Sequence, residues 1–194
     1  MVIHMNNPLF LFVGKSASGK TTLANFLEEK YECKQVQSYT TRLPRYDGET
    51  GHIFVSKEEF DNLGELAAYT MYNGNEYGTT FKQLKECDIY VIDVPGVETL
   101  LQKEIGRPVI IIYFNATTYT RISRMLERGD NDTQIIARLL QDEKDDWLGQ
   151  LNKLVWKNSN VLGKNVCICE VNANQQQNKV LNDVLRHMRQ HIDE

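Results

Sequence analysis

A chain of 194 residues, 41% hydrophobic and 25% charged, is long enough to bury a substantial core and suits one α/β domain with insertions. Its net charge of −4, without any long block of Lys and Arg, argues against a nucleic-acid or membrane surface; a polyanionic ligand would need cations placed locally. No stretch reaches the roughly 18 apolar residues of a membrane helix, and Met1 to Asn7 has neither the basic nor the apolar part of a secretory leader.

Leu9–Val13 is a continuous apolar run ending at Gly14, the pattern of a strand buried on both faces. An amphipathic helix follows over about residues 20–30, with Leu23, Phe26, Leu27 and Tyr31 at helical spacing. Residues 38–81 are polar and turn-rich, with short strands expected at 53–55 and Leu66–Tyr72, and read as an inserted small lobe. A second buried strand covers residues 89–92 and ends at Asp93; a third covers 109–114. Thr117 or Thr118 caps a helix with Ile122, Met125 and Leu126 on one side, and another helix runs from near Asp132 past Leu140. Residues 166–171 form the last strand, and Val180, Leu181, Val184, Leu185, Met188 and Ile192 form the apolar stripe of a closing helix. Strands alternating with helices imply an α/β fold, a parallel sheet flanked by helices.

Cys167 and Cys169 stand two apart in that last strand, which turns both to one face. They read either as a metal or redox pair or as two small buried side chains. No second Cys/His pair completes a zinc site on this reading, which favours the latter. The cysteine usage fits a reduced, cytoplasmic setting.

Gly14-Lys15-Ser16-Ala17-Ser18-Gly19-Lys20-Thr21 matches G-x-x-x-x-G-K-[ST], with a buried strand before it and an amphipathic helix after it. Glycines let the backbone curl so that successive N–H groups point at phosphate oxygens, and the helix adds its positive end. Lys20 supplies a mobile cation, Thr21 a hydroxyl for Mg²⁺, and Thr22 follows in the first helical turn. The motif predicts a P-loop NTPase fold and a nucleoside triphosphate site. It does not define the reaction.

After the P-loop come T-T-R-x-P-R at 40–45, a G-E…G…F-V-S run at 48–56 and G-N-x-Y-G-T at 74–79. In this order they closely resemble guanylate kinase, over about residues 9–172. Forked guanidinium groups suit a phosphate. The resemblance implies that Arg42, Arg45 and Tyr77 bind the phosphate of an acceptor nucleotide, with Ser38 and Thr79 near its base. His52 stands where the family has a phosphate-gripping tyrosine; it donates to phosphate more strongly when protonated, so acceptor binding would weaken as pH rises. Ala68 stands where the family has the glutamate that reads guanine. Glu65 is three residues away, and an odd shift in a strand turns a side chain to the other face.

Asp93 lies at a strand end, where α/β ligand sites form. It matches the second aspartate of the family's D-x-D; Val91 takes the place of the first. It would hold Mg²⁺ through water or orient the acceptor phosphate, the plainer reading being a helix cap ahead of Val97. Arg121, Arg124 and Arg128 share a helix face opposite Ile122, and Arg138 follows. They form either a solvated basic face, balanced by Asp142, Glu143, Asp145 and Asp146, or a lid over the phosphates. The R-G-D-x-D run resembles the family lid, so Arg124, Arg128 and Arg138 carry over, with Arg121 secondary. Asn172 resembles the asparagine near the donor adenine.

The resemblance implies a single kinase domain with a core (1–37, 82–120, 149–194), an inserted NMP-binding lobe (38–81) and a helical lid (121–148). It would phosphorylate GMP or dGMP with ATP and Mg²⁺, without a nucleic-acid or membrane partner. Two alternatives stand beside it: a kinase for another nucleoside monophosphate, suggested by Ala68, and a non-catalytic guanylate-kinase-like binding module, which the complete P-loop disfavours.

Overall fold

The structure, a computed structural model, describes residues 8–44, 47–72 and 74–192. Met1 to Asn7, read above for a leader, and Arg45, expected at the acceptor phosphate, lie outside them.

The elements run in the order β1 (Leu9–Val13), α1 (Lys20–Tyr31), β2 (Ser38–Thr40), β3 (His52–Phe54), α2 (Lys57–Asp61), β4 (Leu66–Tyr72), β5 (Asn75–Thr80) and α3 (Phe81–Glu86). Then come β6 (Ile89–Val91), α4 (Val94–Leu101), β7 (Val109–Asn115), α5 (Thr118–Glu127), α6 (Asp132–Asp142) and α7 (Trp147–Trp156) with a π turn, Lys157–Val161. β8 (Val166–Asn172) and α8 (Gln177–Ile192) close the chain.

The central sheet has the order β6-β1-β7-β8, every pair parallel. The two inner strands, β1 and β7, are apolar but for Asn115 at the end of β7, because both of their faces are covered. One face packs Leu9, Leu11, Tyr90 and Ile111 against α4, through Val97, and against α7 and the alanines of β4. The other packs Phe10, Phe12, Ile110 and Ile112 against α1 and α8 through Leu23, Leu27, Val180 and Val184. The smaller sheet, β3-β2-β5-β4, belongs to the inserted segment.

Local chemistry sets the boundaries. α1 starts at Gly19, whose φ of 101° is easy for glycine, and stops at Glu32, whose N–H returns to the Leu27 carbonyl. Thr117 caps α5, and Asn131 with Gln134 forms a reciprocal capping box on α6. In β4 the pairing with β5 shifts register between Leu66 and Ala68. That irregularity buries the consecutive residues Ala67 and Ala68, which a regular strand would turn to opposite faces.

Three expectations change. Leu126 was placed with the apolar side of its helix but is exposed, while Arg121, which belonged on either reading to a solvated basic face or to a lid, is wholly buried. Cys167 and Cys169 are half-buried rather than buried, because β8 is the sheet edge. The Phe12 and Phe114 rings meet at 5.1 Å and 54° under the P-loop, both fully enclosed. Phe12→Ala is expected to cost about 3–5 kcal/mol in urea unfolding, as a large ring removed from a closed site does; a loss under about 1 kcal/mol would mean that this core collapses around the gap.

Candidate active site

The four parallel strands end at one edge, which places the loop after β1, Asp93 after β6 and the turn after β8 side by side. Gly14 leaves β1 so tightly that a Cβ there would lie 2.7 Å from the Phe114 carbonyl oxygen and 2.8 Å from Ser18 Oγ. Ala17 takes the left-handed conformation at φ 59°, uncommon for a residue with a Cβ. Lys20 Nζ folds over the loop, donating to the Gly14 oxygen at 2.5 Å, the Lys15 oxygen at 3.0 Å and Ser18 Oγ at 3.3 Å. Burial pushes its pKa down to about 8; Asp142 and Asp93 oppose this and Arg121 adds to it.

Arg121 is the buried junction of the site. Its Nε donates to the Ser16 carbonyl at 2.9 Å, its Nη1 to Glu143 at 2.8 Å and its Nη2 to Asp142 at 2.6 Å. Asp142 Oδ2 in turn accepts the Ser16 N–H at 2.8 Å, and Glu143 binds Lys15 at 2.8 Å. The acids do balance an arginine, but in a closed contact with the P-loop rather than on a wet face. A carboxylate oxygen thus already occupies one loop N–H, which suits that N–H to a phosphate oxygen.

Two cavities flank Lys20, and among their lining residues Lys20 alone belongs to both. The larger, about 470 Å³, is walled by Ser18, Gly19, Thr21, Thr22, Arg124 and Arg128, with Ala17, Gln177 and Val180 at its rim. Arg124 joins its two sides, donating to the Ala17 and Ser18 carbonyls at 3.3 and 3.0 Å and to the Ala173 carbonyl at 2.7 Å. The smaller, about 250 Å³, gathers Gly14, Ser16, Ser38, His52, Tyr77, Asp93, Arg138 and Asp142. Arg128 and Arg138 converge on Asp130, Arg128 Nε at 2.8 Å and Arg138 Nε at 3.5 Å.

Other expected residues take less direct places. Asp93 does cap α4: it accepts the Gly96 N–H at 2.9 Å and the Thr70 hydroxyl at 3.1 Å, while burial raises its carboxyl. It also faces the smaller cavity, so the cap reading and the site reading coexist. Arg42 forks onto Glu49 at 3.1 and 2.9 Å and stacks 5.2 Å over Phe54. Ser38 Oγ and His52 Nδ1 are 3.0 Å apart, and the His52 and Tyr77 rings meet edge-on at 5.5 Å. Thr79 is fully buried beside Tyr90, behind the cavity wall. Asn172 is exposed and accepts the Asn174 N–H at 3.0 Å, organising the turn after β8. Glu65 pairs with Lys103 at 3.0 Å on the surface and does not replace the carboxylate missing at Ala68.

Sequence reasoning missed Thr70, Tyr72, Tyr90 and Trp147 on the smaller cavity. Thr70 and Tyr72 were within reach, lying two and four residues beyond Ala68 on one strand face. The contact of Asp142 with Ser16 spans 126 positions and leaves no local signal.

Two expectations follow for ATP binding. The phosphate contact expected of Lys20 from its place in the P-loop needs the charged amine, and its pKa near 8 means that the charged form declines above that pH. Calorimetric affinity for ATP should therefore fall by about tenfold from pH 7 to 9; a flat profile would mean that Lys20 titrates at an ordinary lysine value. Asp142→Asn keeps an acceptor for Ser16 but removes the competing charge. ATP affinity should rise on the order of tenfold, while thermal unfolding shows a loss of about 3 kcal/mol from the broken Arg121 pair. Weaker ATP binding would make Asp142 a supporting group instead.

No family model matches the chain. Among curated proteins, it is 29% identical over 161 residues to the guanylate kinase of Geobacter metallireducens, covering 76% of each chain. It is 31% identical over 151 residues to that of Helicobacter pylori, covering 71% of this chain and 72% of that one. Among solved structures, the guanylate kinase from Anaplasma phagocytophilum superimposes with a TM-score of 0.61 at 19% identity, over 99% of this chain and 89% of that one. That likeness reaches the inserted sheet as well as the P-loop sheet, and with the Helicobacter identity it places the chain in the guanylate kinase family.

Proposed function

We propose that the chain transfers the terminal phosphoryl group of ATP to GMP or dGMP by direct in-line displacement. The observation that carries this is Lys20 as the residue common to two cavities. A cation between donor and acceptor can neutralise charge spread over the transferred oxygens, which is where phosphoryl transfer needs stabilisation.

The larger cavity takes the donor. Ala17, Ser18 and Gly19 line it, the Ser16 N–H would join them on leaving Asp142, and Arg124 holds that loop against the end of β8. Thr21 and Thr22 offer exposed hydroxyls in the first turn of α1. Thr21, with Asp93 acting through water, would hold Mg²⁺, which when bound supplies further charge neutralisation. The smaller cavity takes the acceptor: Tyr77 and His52 would face its phosphate and Ser38 its base, Arg42 would join on leaving Glu49, and the family motif assigns Arg45, outside the described residues, to the same phosphate. Arg138 lines that cavity and Arg128 the donor one, so releasing both from Asp130 would deliver charge to both sides and exclude water. The acceptor phosphate is itself the nucleophile, so neither a strong general base nor a covalent intermediate is required. In this reading residues 38–81 act as the acceptor lobe and 121–148 as the lid, with Asn172 ordering the turn near the donor base. No helix among the described residues is long and apolar enough to cross a membrane, which accords with a cytoplasmic enzyme.

A second reading keeps the mechanism and changes the base. Ala68 is 2% exposed and Glu65 is committed to Lys103, so the carboxylate that resembling enzymes use for guanine has no counterpart on β4. ADP release from ATP-Mg should be measured against GMP, dGMP, AMP, CMP, UMP and dTMP in parallel, with Lys20→Ala beside it. Turnover with GMP and dGMP is expected, reduced by at least about 100-fold in the variant. Faster turnover with another base would move the assignment to that nucleotide, and ATP binding without turnover on any acceptor would favour the binding-module reading.

A further inference from the structure

β8 is the open edge of the parallel sheet, and Cys167 and Cys169 stand on its face toward α8. α8 returns along that strand and brings His191 to them. His191 Nε2 lies 3.6 Å from Cys167 Sγ and 3.9 Å from Cys169 Sγ, and the three ligand atoms all fall within 4.8 Å of one another. Around a tetrahedral zinc ion, bonds of about 2.3 Å to sulfur and about 2.0 Å to nitrogen hold the two atoms about 3.5 Å apart. The sulfurs and the ring nitrogen thus already stand near ligand-to-ligand spacing.

The sequence reading lacked a second pair, and α8 contains it: His187-x-x-x-His191. Four residues place both rings on one helix face, about 6 Å apart along the axis. Two residues of strand advance the cysteines by about 6.7 Å. The two spacings match; His187 stands outside the cluster that Cys167, Cys169 and His191 already form, one turn earlier on the same helix face, and would turn in as the fourth ligand. All four side chains are half-buried, neither sealed from an entering ion nor loose in solvent.

We propose that Cys167, Cys169, His187 and His191 form a structural Zn²⁺ site that staples α8 to β8. Two thiolates and two imidazoles make a closed, neutral tetrahedral set with no open position for chemistry. The cysteines bind as thiolates and the histidines as neutral imidazoles, so protons compete with the metal for the site. The staple lies at the far end of α8 from Gln177, which lines the donor cavity, and toward the start of β8, whose other end leads to Ala173 and Arg124. It would fix how α8 lies along β8 without touching nucleotide, and it does not rest on the kinase reading.

The test uses the full chain, reduced and stripped of metal, titrated with Co²⁺. The expected result is a thiolate-to-cobalt charge-transfer band saturating at one ion per chain, bleached by equimolar Zn²⁺, with a raised melting temperature in Zn²⁺. Cys169→Ser, nearly isosteric and foldable, should lose most of the band. His191→Ala should lower zinc affinity by more than about 100-fold in competition with a chromophoric chelator. Absence of the band in the wild-type chain, or its survival unchanged in Cys169→Ser, would overturn the proposal.

Discussion

The geometry of the site hangs on a buried guanidinium. Arg121 has no contact with solvent, and a charge so enclosed costs several kcal/mol unless its donors are met. Here Nε and both terminal nitrogens are met, by Ser16, Glu143 and Asp142. Asp142 completes the circuit by taking the Ser16 N–H. The P-loop, the first turn of α5 and the end of α6 are therefore one electrostatic unit, although they are more than 100 positions apart in sequence. Removing one partner would strand the others, so α5 and α6 cannot leave the loop without a new anion for Arg121. Under the proposed function a nucleotide phosphate would be such an anion, and the segment proposed as a lid would then respond to the donor.

Around that unit the architecture imposes a division. Parallel strands deliver their C-terminal ends to one edge, and the P-loop crosses that edge. Whatever binds must approach from the α1 and α8 side or from the side of the inserted sheet. Lys20 sits on the line between the two approaches, folded onto the carbonyls of its own loop. Its burial lowers its affinity for a proton and so raises the benefit of meeting a polyanion, which restores the charged form. Arg128 and Arg138 wait nearby on Asp130, an arrangement that stores cations close to both cavities without placing bare charges against each other.

The parts legible in sequence were those set locally. The P-loop could be read because glycine geometry and one lysine make it, and the strands because two-sided burial demands continuous apolar runs. The inserted segment was legible through ordered motifs, and its boundary followed from its composition. What escaped was set over long range. Arg121 sits at helical spacing with Arg124 and Arg128, and periodicity alone cannot distinguish a wet arginine from one sealed under Asp142. The irregular register at Leu66 breaks the alternation from which inward and outward residues would have been counted. The histidines of α8 were hidden by its strong apolar stripe, which explained the helix well enough that its other face went unread.

The acceptor cavity shows how an altered residue shifts a burden rather than abolishing it. Guanine presents an N1–H and an exocyclic amine, both donors, and needs a carboxylate or its equivalent opposite them. Ala68 supplies none, and Glu65 is held on the surface by Lys103. The acids lining the cavity are Asp93 and Asp142, and Asp142 is committed to Arg121 and Ser16. Asp93 is engaged through one contact on each oxygen, from Gly96 and Thr70, whereas an ionised carboxylate offers about four acceptor sites. That remaining capacity at Asp93 suits the water-mediated Mg²⁺ role given to it in the proposed function, which puts it at the phosphate end beside Lys20 and not at the base. Under the proposed function, guanine's donors would therefore have to be met by neutral acceptors on the cavity wall, among them the Ser38 and Thr70 hydroxyls.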